Sequence, residues 1–349
     1  MLQILLSVIG IYIAVRIVGI VVEGTFMSFV DWFQKKVGVS NGVAGELFQA
    51  PGTSAPEIAI NTYATYIALE NPALGIATII GSAIFQLTIV IAVPLFSTSK
   101  NSNLEAGEVI RSVSVYGVAV LLLLLASLDG VFTAWELGGM TLTYAAYIVY
   151  LLRTEDESVS YQEVHESSAP PTGVISALDY PVKRLAQKVD SFIPGPNSSI
   201  SGFFIALAVI GVLCAGLVEL AGLVGTGIGL GSTFVAITLL AAGSSVPELT
   251  SNVVKAREGK IDQVIGNAVG SNSFDIFVSF AAVSFIASWQ SGGLVMPNPS
   301  SITIPVVFLM ITLLAILGVL WLEKWKPTEK TAWTGVTVYV LFVLLTLYS

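Results

Sequence analysis

Long apolar segments recur along the whole chain, and short polar turns separate them. Ten segments are each long enough to cross a hydrocarbon core of about 30 Å as a helix of about 20 residues. In chain order, spans one to ten cover approximately 2–22, 42–69, 73–95, 110–128, 131–152, 201–222, 229–254, 262–287, 302–322 and 332–348. The pattern predicts an all-α polytopic membrane protein with ten transmembrane helices. The first span has no basic residue ahead of it, so we expect a retained helix rather than a cleaved signal peptide.

The composition agrees with a membrane environment and restricts the chemistry of any metal site. Hydrophobic residues make up 54% and charged residues 11% of the 349 positions, a balance far from that of a soluble globular domain. Cys214 is the single cysteine and His165 the single histidine. Neither a disulfide framework nor a thiolate or imidazole metal site can be built from them. Any metal ion must therefore be held by oxygen ligands.

The basic residues predict the topology, because short cytoplasmic loops of membrane proteins are enriched in Lys and Arg. Fourteen of the fifteen Lys and Arg residues lie in the turns after spans one, three, five, seven and nine, or beside those turns. The turns after spans two, four, six and eight contain none. Arg16, inside span one, is expected to reach the cytoplasmic interface with its long side chain. Both termini are therefore expected on the extracytoplasmic side.

Two pairs of motifs repeat in the same order. APGTSAPE at 50–57 corresponds to AAGSSVPE at 241–248, and GSAIFQ at 81–86 corresponds to GSNSFD at 270–275. The first pair lies in spans two and seven, and the second in spans three and eight. Because each half contains an odd number of spans, the second copy must be inserted upside down, as in many transporters whose site lies near the bilayer midplane.

The repeat divides the chain into two inverted five-helix halves joined by a linker. The expected bounds are 1–152 for the first half with repeat motif 50–86, 153–200 for a cytoplasmic linker, and 201–349 for the second half with repeat motif 241–275. The linker is too short and too polar to bury a core of its own. Its stretch 174–193 could form an amphipathic surface helix.

Glu57 and Glu248 lie well inside apolar spans, where an ionised carboxylate without a partner costs several kcal/mol. The apolar cores of spans two, three, seven and eight contain no Lys or Arg to act as a counter-ion. The expected partner is therefore a mobile cation or a proton. Pro56 and Pro247 precede the two acids, and proline interrupts a helix and frees backbone carbonyl oxygens. Such irregular backbone is tolerated in a membrane where it lines a cavity or is buried in protein.

Hydroxyl side chains accompany these acids at helical spacing. The pairs separated by four residues are Thr53 and Glu57, Ser82 and Gln86, Ser244 and Glu248, and Ser271 and Asp275. Four helices can thus direct oxygen atoms to one place, and a flexible set of six to eight oxygens suits calcium better than magnesium. A proline kink with a buried Glu can also simply organise helix packing, but a second matching copy favours an ion site. Gly81 and Gly270 are expected to let helices approach closely.

The motifs GTSAPE with GSAIFQ, and GSSVPEL with GNAVGSNSFD, resemble the two alpha-repeats of the cation/calcium antiporter superfamily, in its sodium/calcium exchanger family. The resemblance implies Glu57 and Glu248 as central calcium ligands, helped by the carbonyls of Thr53 and Ser244. It implies Ser54, Ser82, Ser245 and Ser271 as sodium ligands, and the carbonyls of Ala50 and Ala241 as parts of outlying sodium sites. Asp275 matches a position that is Asp or Asn in the family, and Gln86 stands where Asn is usual.

The leading hypothesis is exchange of Ca²⁺ for Na⁺ by alternating access, in a plasma membrane or a bacterial or archaeal inner membrane. GSAIF and Asp275 are also reminiscent of potassium-dependent exchangers, so K⁺ is a further candidate. The alternatives are a Ca²⁺/H⁺ exchanger and, from other classes, a cation channel or a membrane enzyme. No cofactor and no nucleic-acid partner are expected, and a monomer in the lipid bilayer is expected to function alone. Glu219 is interpreted as a solvated helix end and Glu136 as an interfacial residue.

Overall fold

The computed structural model describes residues 2–21, 24–25, 28–29, 32, 36, 53–67, 73–98, 104, 106–154, 174–195, 200–259, 261–296 and 298–348. Nearly all of these residues are helical. The strands within the described ranges are two short ones, β1 (Val131–Phe132) and β2 (Leu294–Val295). Ala50, His165 and most of the predicted linker lie outside the described residues.

Six helices precede the second half. They are α1 (Leu2–Val21), α2 (Ala55–Tyr66), α3 (Ala73–Phe96), α4 (Ala106–Ser127), α5 (Ala134–Thr154) and α6 (Val174–Ser191). Helix α6 occupies the predicted amphipathic part of the linker.

The second half contains more interruptions. Its helices are α7 (Ser201–Ile228), α8 (Ser232–Val235), α9 (Ala241–Ser244), α10 (Val246–Glu258), α11 (Ile261–Phe274), α12 (Val283–Ser291), α13 (Ser300–Leu322) and α14 (Glu329–Tyr348). A π-helical turn, Ala236–Leu240, joins α8 to α9, and a second one, Asp275–Ala282, joins α11 to α12. Span seven is therefore a broken helix, and span eight is a long helix with a π-helical middle.

Seven helices in the described ranges are long and apolar enough to cross a membrane. They are Leu2–Val21, Ala73–Phe96, Val109–Ser127, Ser201–Ile228, Val264–Ser291, Ser300–Leu322 and Glu329–Leu347. The protein is thus an integral membrane protein with a helical core. Ten crossings stay a prediction, because spans two, five and seven are not among the seven.

Helix α3 lies at the centre of the bundle and contacts α2, α10, α11, α13 and α14. One hydrophobic cluster surrounds it and includes residues of α4, α5 and α13. A second cluster is centred on the pair α1 and α7, and it includes Ala186 and Ile193 from the linker. Asp190 of α6 also accepts a 3.1 Å hydrogen bond from the Thr25 backbone N–H. The linker helix is therefore packed against α1.

Two contacts show which turns share a side of the molecule. Strand β1, after α4, pairs antiparallel with β2, after α12, with Val131 opposite Val295. At the other end of the bundle, the Leu104 N–H donates a 3.0 Å hydrogen bond to the Trp325 carbonyl. The turns after spans four and eight are thus neighbours, and so are the turns after spans three and nine, as the charge pattern requires.

The two motif glycines differ in their surroundings. A Cβ atom at Gly81 would lie 2.1 Å from the Ile237 carbonyl oxygen and 2.8 Å from the Ala241 Cβ. Only glycine allows α3 to approach the broken helix this closely, so the prediction for Gly81 is confirmed. At Gly270 no atom of the described residues lies within 4 Å of the equivalent position. The described part of the chain therefore gives no close approach at Gly270.

Candidate ion-binding site

Both Pro-Glu motifs begin at a break in the helix. Ser54 precedes α2 with φ −84° and ψ 8°, and Ser245 ends α9 with φ −87° and ψ 9°. After each break the first intrahelical bond forms again, from the Ile58 N–H to the Ser54 carbonyl and from the Leu249 N–H to the Ser245 carbonyl, both 3.1 Å long. The interruption predicted from the prolines is present at corresponding positions of the two motifs.

The three predicted acids are completely buried. Glu57, Glu248 and Asp275 each have 0% of their surface exposed. Among the residues whose burial is described, the buried charged side chains are all acidic. Asp275 and Glu57 also lie within electrostatic range of one another, with Ser54 beside Asp275. For Glu57 and Asp275, these buried residues thus include no basic side chain that could neutralise the negative charge.

Ser82 of α3 connects the two halves of the site. Its hydroxyl donates a 3.0 Å hydrogen bond to Glu57 Oε1 and lies 2.7 Å from Ser245 Oγ. The Gln86 amide donates a 3.2 Å hydrogen bond to the same hydroxyl. One side chain of span three therefore contacts an acid of span two, a hydroxyl of span seven and the amide one turn further along α3.

Span eight is connected to span two in the same region. Thr53 Oγ1 lies 3.3 Å from Ser271 Oγ. Ser279, one turn after Asp275, donates a 2.9 Å hydrogen bond to Asp275 Oδ1, and its own carbonyl accepts a 2.8 Å bond from the Asn61 amide. Spans two, three, seven and eight thus meet through oxygen-bearing side chains.

Several buried oxygens at this meeting point have no hydrogen-bond partner among the described residues. They include Ser54 Oγ, Glu57 Oε2, Gln86 Oε1 and Asp275 Oδ2. Buried polar atoms of proteins are nearly always paired with protein or water, so this concentration needs an explanation. An ion that these oxygens coordinate would supply it.

The remaining predicted ligands are placed as follows. Ser244 is buried and lies beside Glu57, and Glu248 is buried in the first turn of α10. The Ala241 carbonyl accepts hydrogen bonds from the hydroxyls of Ser244 and Ser245, at 3.1 and 3.0 Å. Ala50 lies outside the described residues. In the described ranges no group of three or more His, Cys, Asp or Glu side chains gathers around one point, so hydroxyl, amide or carbonyl oxygens must complete any ion shell.

The structure also buries two polar residues that the sequence patterns did not single out. Asn61 and Asn252 follow Glu57 and Glu248 by four residues each, and both are buried. The Asn61 amide also donates to Ser284 Oγ at 3.2 Å, and Asn252 Oδ1 accepts a 3.2 Å bond from the Asn267 amide. The spacing of four that selected the hydroxyls would have found both asparagines. The π-helical turn beginning at Asp275 had no signal in the sequence, although such turns are frequent at functional sites.

The two acids interpreted as a helix end and as an interfacial residue both have structural partners. Glu136 accepts hydrogen bonds from the Thr133 N–H at 2.8 Å and from the Thr133 hydroxyl at 2.7 Å, as in a capping box. Glu219 Oε1 of α7 accepts a 2.7 Å hydrogen bond from the Tyr63 hydroxyl of α2, in an exposed position. Neither acid belongs to the buried site.

Buried carboxylates at broken helices, inside a bundle of apolar helices, define a polytopic membrane protein with an oxygen-rich interior site. The family profile described as "Sodium/calcium exchanger protein" matches residues 2–153 and 198–349. The chain therefore belongs to the sodium/calcium exchanger family. The match omits the residues between the two halves, where the linker was predicted.

Two relatives that are sodium/potassium/calcium exchangers are similar to parts of this chain. Sodium/potassium/calcium exchanger 2 of Rattus norvegicus is 34% identical over 148 residues, which are 42% of this chain and 22% of that protein. Sodium/potassium/calcium exchanger 5 of Homo sapiens is 24% identical over 331 residues, covering 74% of this chain and 66% of that protein. The matched stretch thus spans about a fifth of the length of the rat relative.

Two solved structures have a similar fold. The sodium-calcium exchanger NCX_Mj superposes with a TM-score of 0.61 at 20% identity and covers 98% of each chain. The H⁺/Ca²⁺ exchanger CAX superposes with a TM-score of 0.65 at 15% identity and covers 99% of this chain and 86% of its own. At these identities the likeness shows the fold.

Proposed function

We propose that the protein is a secondary active antiporter that exchanges Ca²⁺ for Na⁺ by alternating access. One observation carries the proposal: three acids, Glu57, Glu248 and Asp275, are fully buried in the described structure. Buried charges are normally paired or coordinate metals. In a protein that must exchange its counter-ions to complete a transport cycle, the transported cations would neutralise such buried acids.

The proposed architecture is ten transmembrane helices in two inverted halves, 1–152 and 201–349, joined by a cytoplasmic linker. The corresponding breaks at Ser54 and Ser245 support it. Two aromatic contacts support it as well. Phe85 packs edge-on against Tyr339 with ring centroids 5.4 Å apart, and Phe274 packs edge-on against Tyr144 at 6.0 Å. In each pair, the Phe of a repeat motif contacts a Tyr from the last span of the other half.

Within this architecture we assign the ion ligands to the two repeat motifs. The calcium ligands are the carboxylates of Glu57 and Glu248 with the carbonyls of Thr53 and Ser244. Sodium is bound by four hydroxyls and two carbonyls, those of Ser54, Ser82, Ser245 and Ser271 and those of Ala50 and Ala241. Gln86 and Asp275 adjust the affinity for the monovalent cation. The protein works as a monomer in a plasma membrane or a bacterial or archaeal inner membrane, with both termini outside the cytoplasm.

The three acids set a limit on the charge that the site can hold. With at most three negative charges, they neutralise three sodium ions, or one calcium ion with charge left over. Exchange of three sodium ions for one calcium ion would move net charge across the membrane. The α1 and α7 pair forms its own hydrophobic cluster with the linker helix, and we propose that this pair slides against the rest of the bundle during the cycle.

Calcium flux into liposomes tests the function directly. The purified protein is reconstituted, gradients of Na⁺, K⁺ or H⁺ are imposed one at a time, and uptake of radioactive calcium is followed. We expect saturable uptake that an outward Na⁺ gradient drives and that membrane potential modulates. Uptake that follows a pH gradient and ignores Na⁺ would instead identify a Ca²⁺/H⁺ exchanger, the activity named for the second structural neighbour. A calcium conductance that needs no exchanged counter-ion would identify a channel.

A further inference from the structure

Asn61 connects the helix that carries Glu57 to the π-helical turn that carries Asp275. It lies one turn after Glu57 in α2, and only 1% of its surface is exposed. Its amide nitrogen donates two hydrogen bonds to span eight, one of 2.8 Å to the Ser279 carbonyl and one of 3.2 Å to Ser284 Oγ. Because an amide group has two N–H hydrogens, both bonds can form at once. The donor capacity of this side chain is therefore directed to span eight.

The connection continues from Ser279 to the buried acid. The Ser279 hydroxyl donates a 2.9 Å hydrogen bond to Asp275 Oδ1. Ser279 thus accepts a bond from span two with its backbone and donates one to Asp275 with its side chain. Both residues are completely buried, and hydrogen bonds shielded from water are electrostatically stronger than exposed ones. The rotation of the Asp275 carboxylate is therefore restrained by Ser279, and the position of Ser279 is restrained by Asn61.

A third span provides the room for the Asn61 side chain. A Cβ atom at Gly75 of α3 would lie 2.1 Å from Asn61 Oδ1. A side chain at this position would displace the amide and, with it, both bonds to span eight. The Asn61 oxygen also accepts a long 3.4 Å hydrogen bond from Thr65 Oγ1, one turn further along α2. The orientation of the amide is thus determined by its own helix and by the close approach of α3.

The described residues show this connection in one of the two halves. Asn252 occupies the corresponding position in span seven, but it donates a 3.3 Å hydrogen bond to the Val264 carbonyl and accepts one from Asn267, both in its own half. In span three, the residue four positions after Gln86 is Val90, which has no hydroxyl. The packing of the repeated unit therefore does not account for a chain of bonds that runs from an asparagine through a serine to an acid.

We propose that Asn61 is a positioning residue that holds the Asp275 carboxylate in its ion-binding orientation through Ser279. The proposal rests on the exchange activity proposed above, and it adds two residues that bind no ion themselves. A side chain that is already oriented loses less conformational entropy when it binds an ion. Because Asn61 lies one turn from Glu57, a movement of α2 during the cycle would also move this support of Asp275.

Two substitutions break the connection at different links. Asn61→Leu replaces the amide with a branched apolar group of similar size, and Ser279→Ala removes the hydroxyl while it keeps the carbonyl. For each variant we expect the Na⁺ or K⁺ concentration for half-maximal calcium exchange in liposomes to rise about three-fold, while the maximal rate changes by less than about two-fold. The matched control is Ser288→Ala. It removes another buried hydroxyl of span eight, which donates a 2.7 Å hydrogen bond to the Phe132 carbonyl, and its cation dependence should stay as in wild type.

The double variant, Asn61→Leu with Ser279→Ala, tests whether the asparagine acts through the serine. If it does, the double variant should need about the same cation concentration as Ser279→Ala alone, because the connection is already broken. Independent effects would multiply to a rise of about nine-fold, and that result would overturn the proposal. An asparagine that only stabilises the fold would lower the midpoint of thermal unfolding and leave the cation dependence as in wild type. That result would overturn the proposal as well.

A second measurement does not depend on transport. An ion that binds the folded state raises the midpoint of thermal unfolding, so this midpoint is followed for the purified protein while Na⁺ or K⁺ is added. Asn61→Leu and Ser279→Ala should each need about three-fold more cation for the same rise. A wild-type response in Asn61→Leu would contradict the positioning role. Wild-type protein that shows this response but has no Na⁺- or K⁺-dependent calcium flux would overturn the exchange activity alone.

Discussion

Ser82 Oγ and Ser245 Oγ lie 2.7 Å apart, although the two residues are 163 positions apart in the chain. The contact joins the central helix α3 to the break that ends α9. Since Ser82 also donates to Glu57, displacement of the broken helix of span seven would alter the environment of an acid in span two. The site is therefore coupled to the relative position of the two halves, as an alternating-access carrier needs.

Removal of charge from the central acids should stop calcium transport. Glu57→Gln and Glu248→Gln keep the shape of each side chain, but an amide oxygen attracts a divalent ion far less than a carboxylate in a poorly solvated site. We expect each variant to lose calcium uptake into liposomes to the background level. Protein yield and the elution profile in size-exclusion chromatography should stay as in wild type.

Glu329→Gln is the matched control for these variants. Glu329 lies in the first turn of α14 and is exposed, so the same chemical change there should leave calcium uptake intact. Most of the wild-type flux remaining in either Glu57→Gln or Glu248→Gln would show that the residue is not a primary calcium ligand.

Gly81 should be intolerant of even one methyl group. The Cβ of Gly81→Ala would lie 2.1 Å from the Ile237 carbonyl oxygen. Because this oxygen belongs to the backbone, it cannot move away as a flexible side chain could. Overpacking of this kind typically costs about 1–3 kcal/mol. We expect a lower midpoint of thermal unfolding for the detergent-purified variant.

Gly318→Ala provides the comparison, because a Cβ at Gly318 of α13 meets no described atom within 4 Å. Alanine also favours the helical conformation more than glycine does. Its unfolding midpoint should equal or exceed that of wild type. Equal midpoints for Gly81→Ala and Gly318→Ala would mean that α3 and the broken helix are not in close contact.

The predicted topology can be checked with two single cysteines in a Cys214→Ala background, where the buried native cysteine is absent. Asp129 and Lys326 are both exposed, and they lie in the turns after spans four and nine. A membrane-impermeant maleimide applied to whole cells should label Asp129→Cys and spare Lys326→Cys until the membrane is permeabilised. Labelling of both without permeabilisation, or of Lys326→Cys alone, would contradict the assignment of the basic turns to the cytoplasm.

Local features of the site were predictable from the sequence, whereas its contacts were not. The breaks before Glu57 and Glu248 follow from the neighbouring prolines, because proline interrupts a helix wherever the helix lies. The burial of both acids follows from the apolar spans around them. The Ser82 contact with Ser245 depends on how distant helices pack, and no spacing along the chain encodes it.

The π-helical turn at Asp275 was missed for a local reason. The π-helical turn at Asp275 requires a change in backbone hydrogen bonding that composition does not signal. Asn61 and Asn252 differ from this turn, because their spacing from the two glutamates was visible in the sequence and was not used.

Asp275 should determine how calcium exchange depends on Na⁺ or K⁺ more than it determines calcium binding. The substitution Asp275→Asn tests this expectation. The side chain keeps two polar atoms after the change, so Ser279 can still find a partner, but the negative charge is lost. In a poorly solvated cavity that charge stabilises a bound cation far more than in water. We expect altered Na⁺ or K⁺ dependence of calcium flux, with calcium affinity reduced less than in Glu248→Gln.

Gln86 occupies the position in span three that corresponds to Asp275 in span eight. The substitution Gln86→Asn therefore tests the equivalent position in the first repeat motif. It shortens the side chain without changing its charge, and the Gln86 amide donates only to Ser82 in the described residues. We expect an almost silent change or a mild shift in sodium affinity. The decisive comparison is the cation dependence of Asp275→Asn with that of Glu248→Gln. If Asp275→Asn lost calcium affinity as strongly as Glu248→Gln while keeping the wild-type monovalent dependence, Asp275 would be a calcium ligand of equal rank.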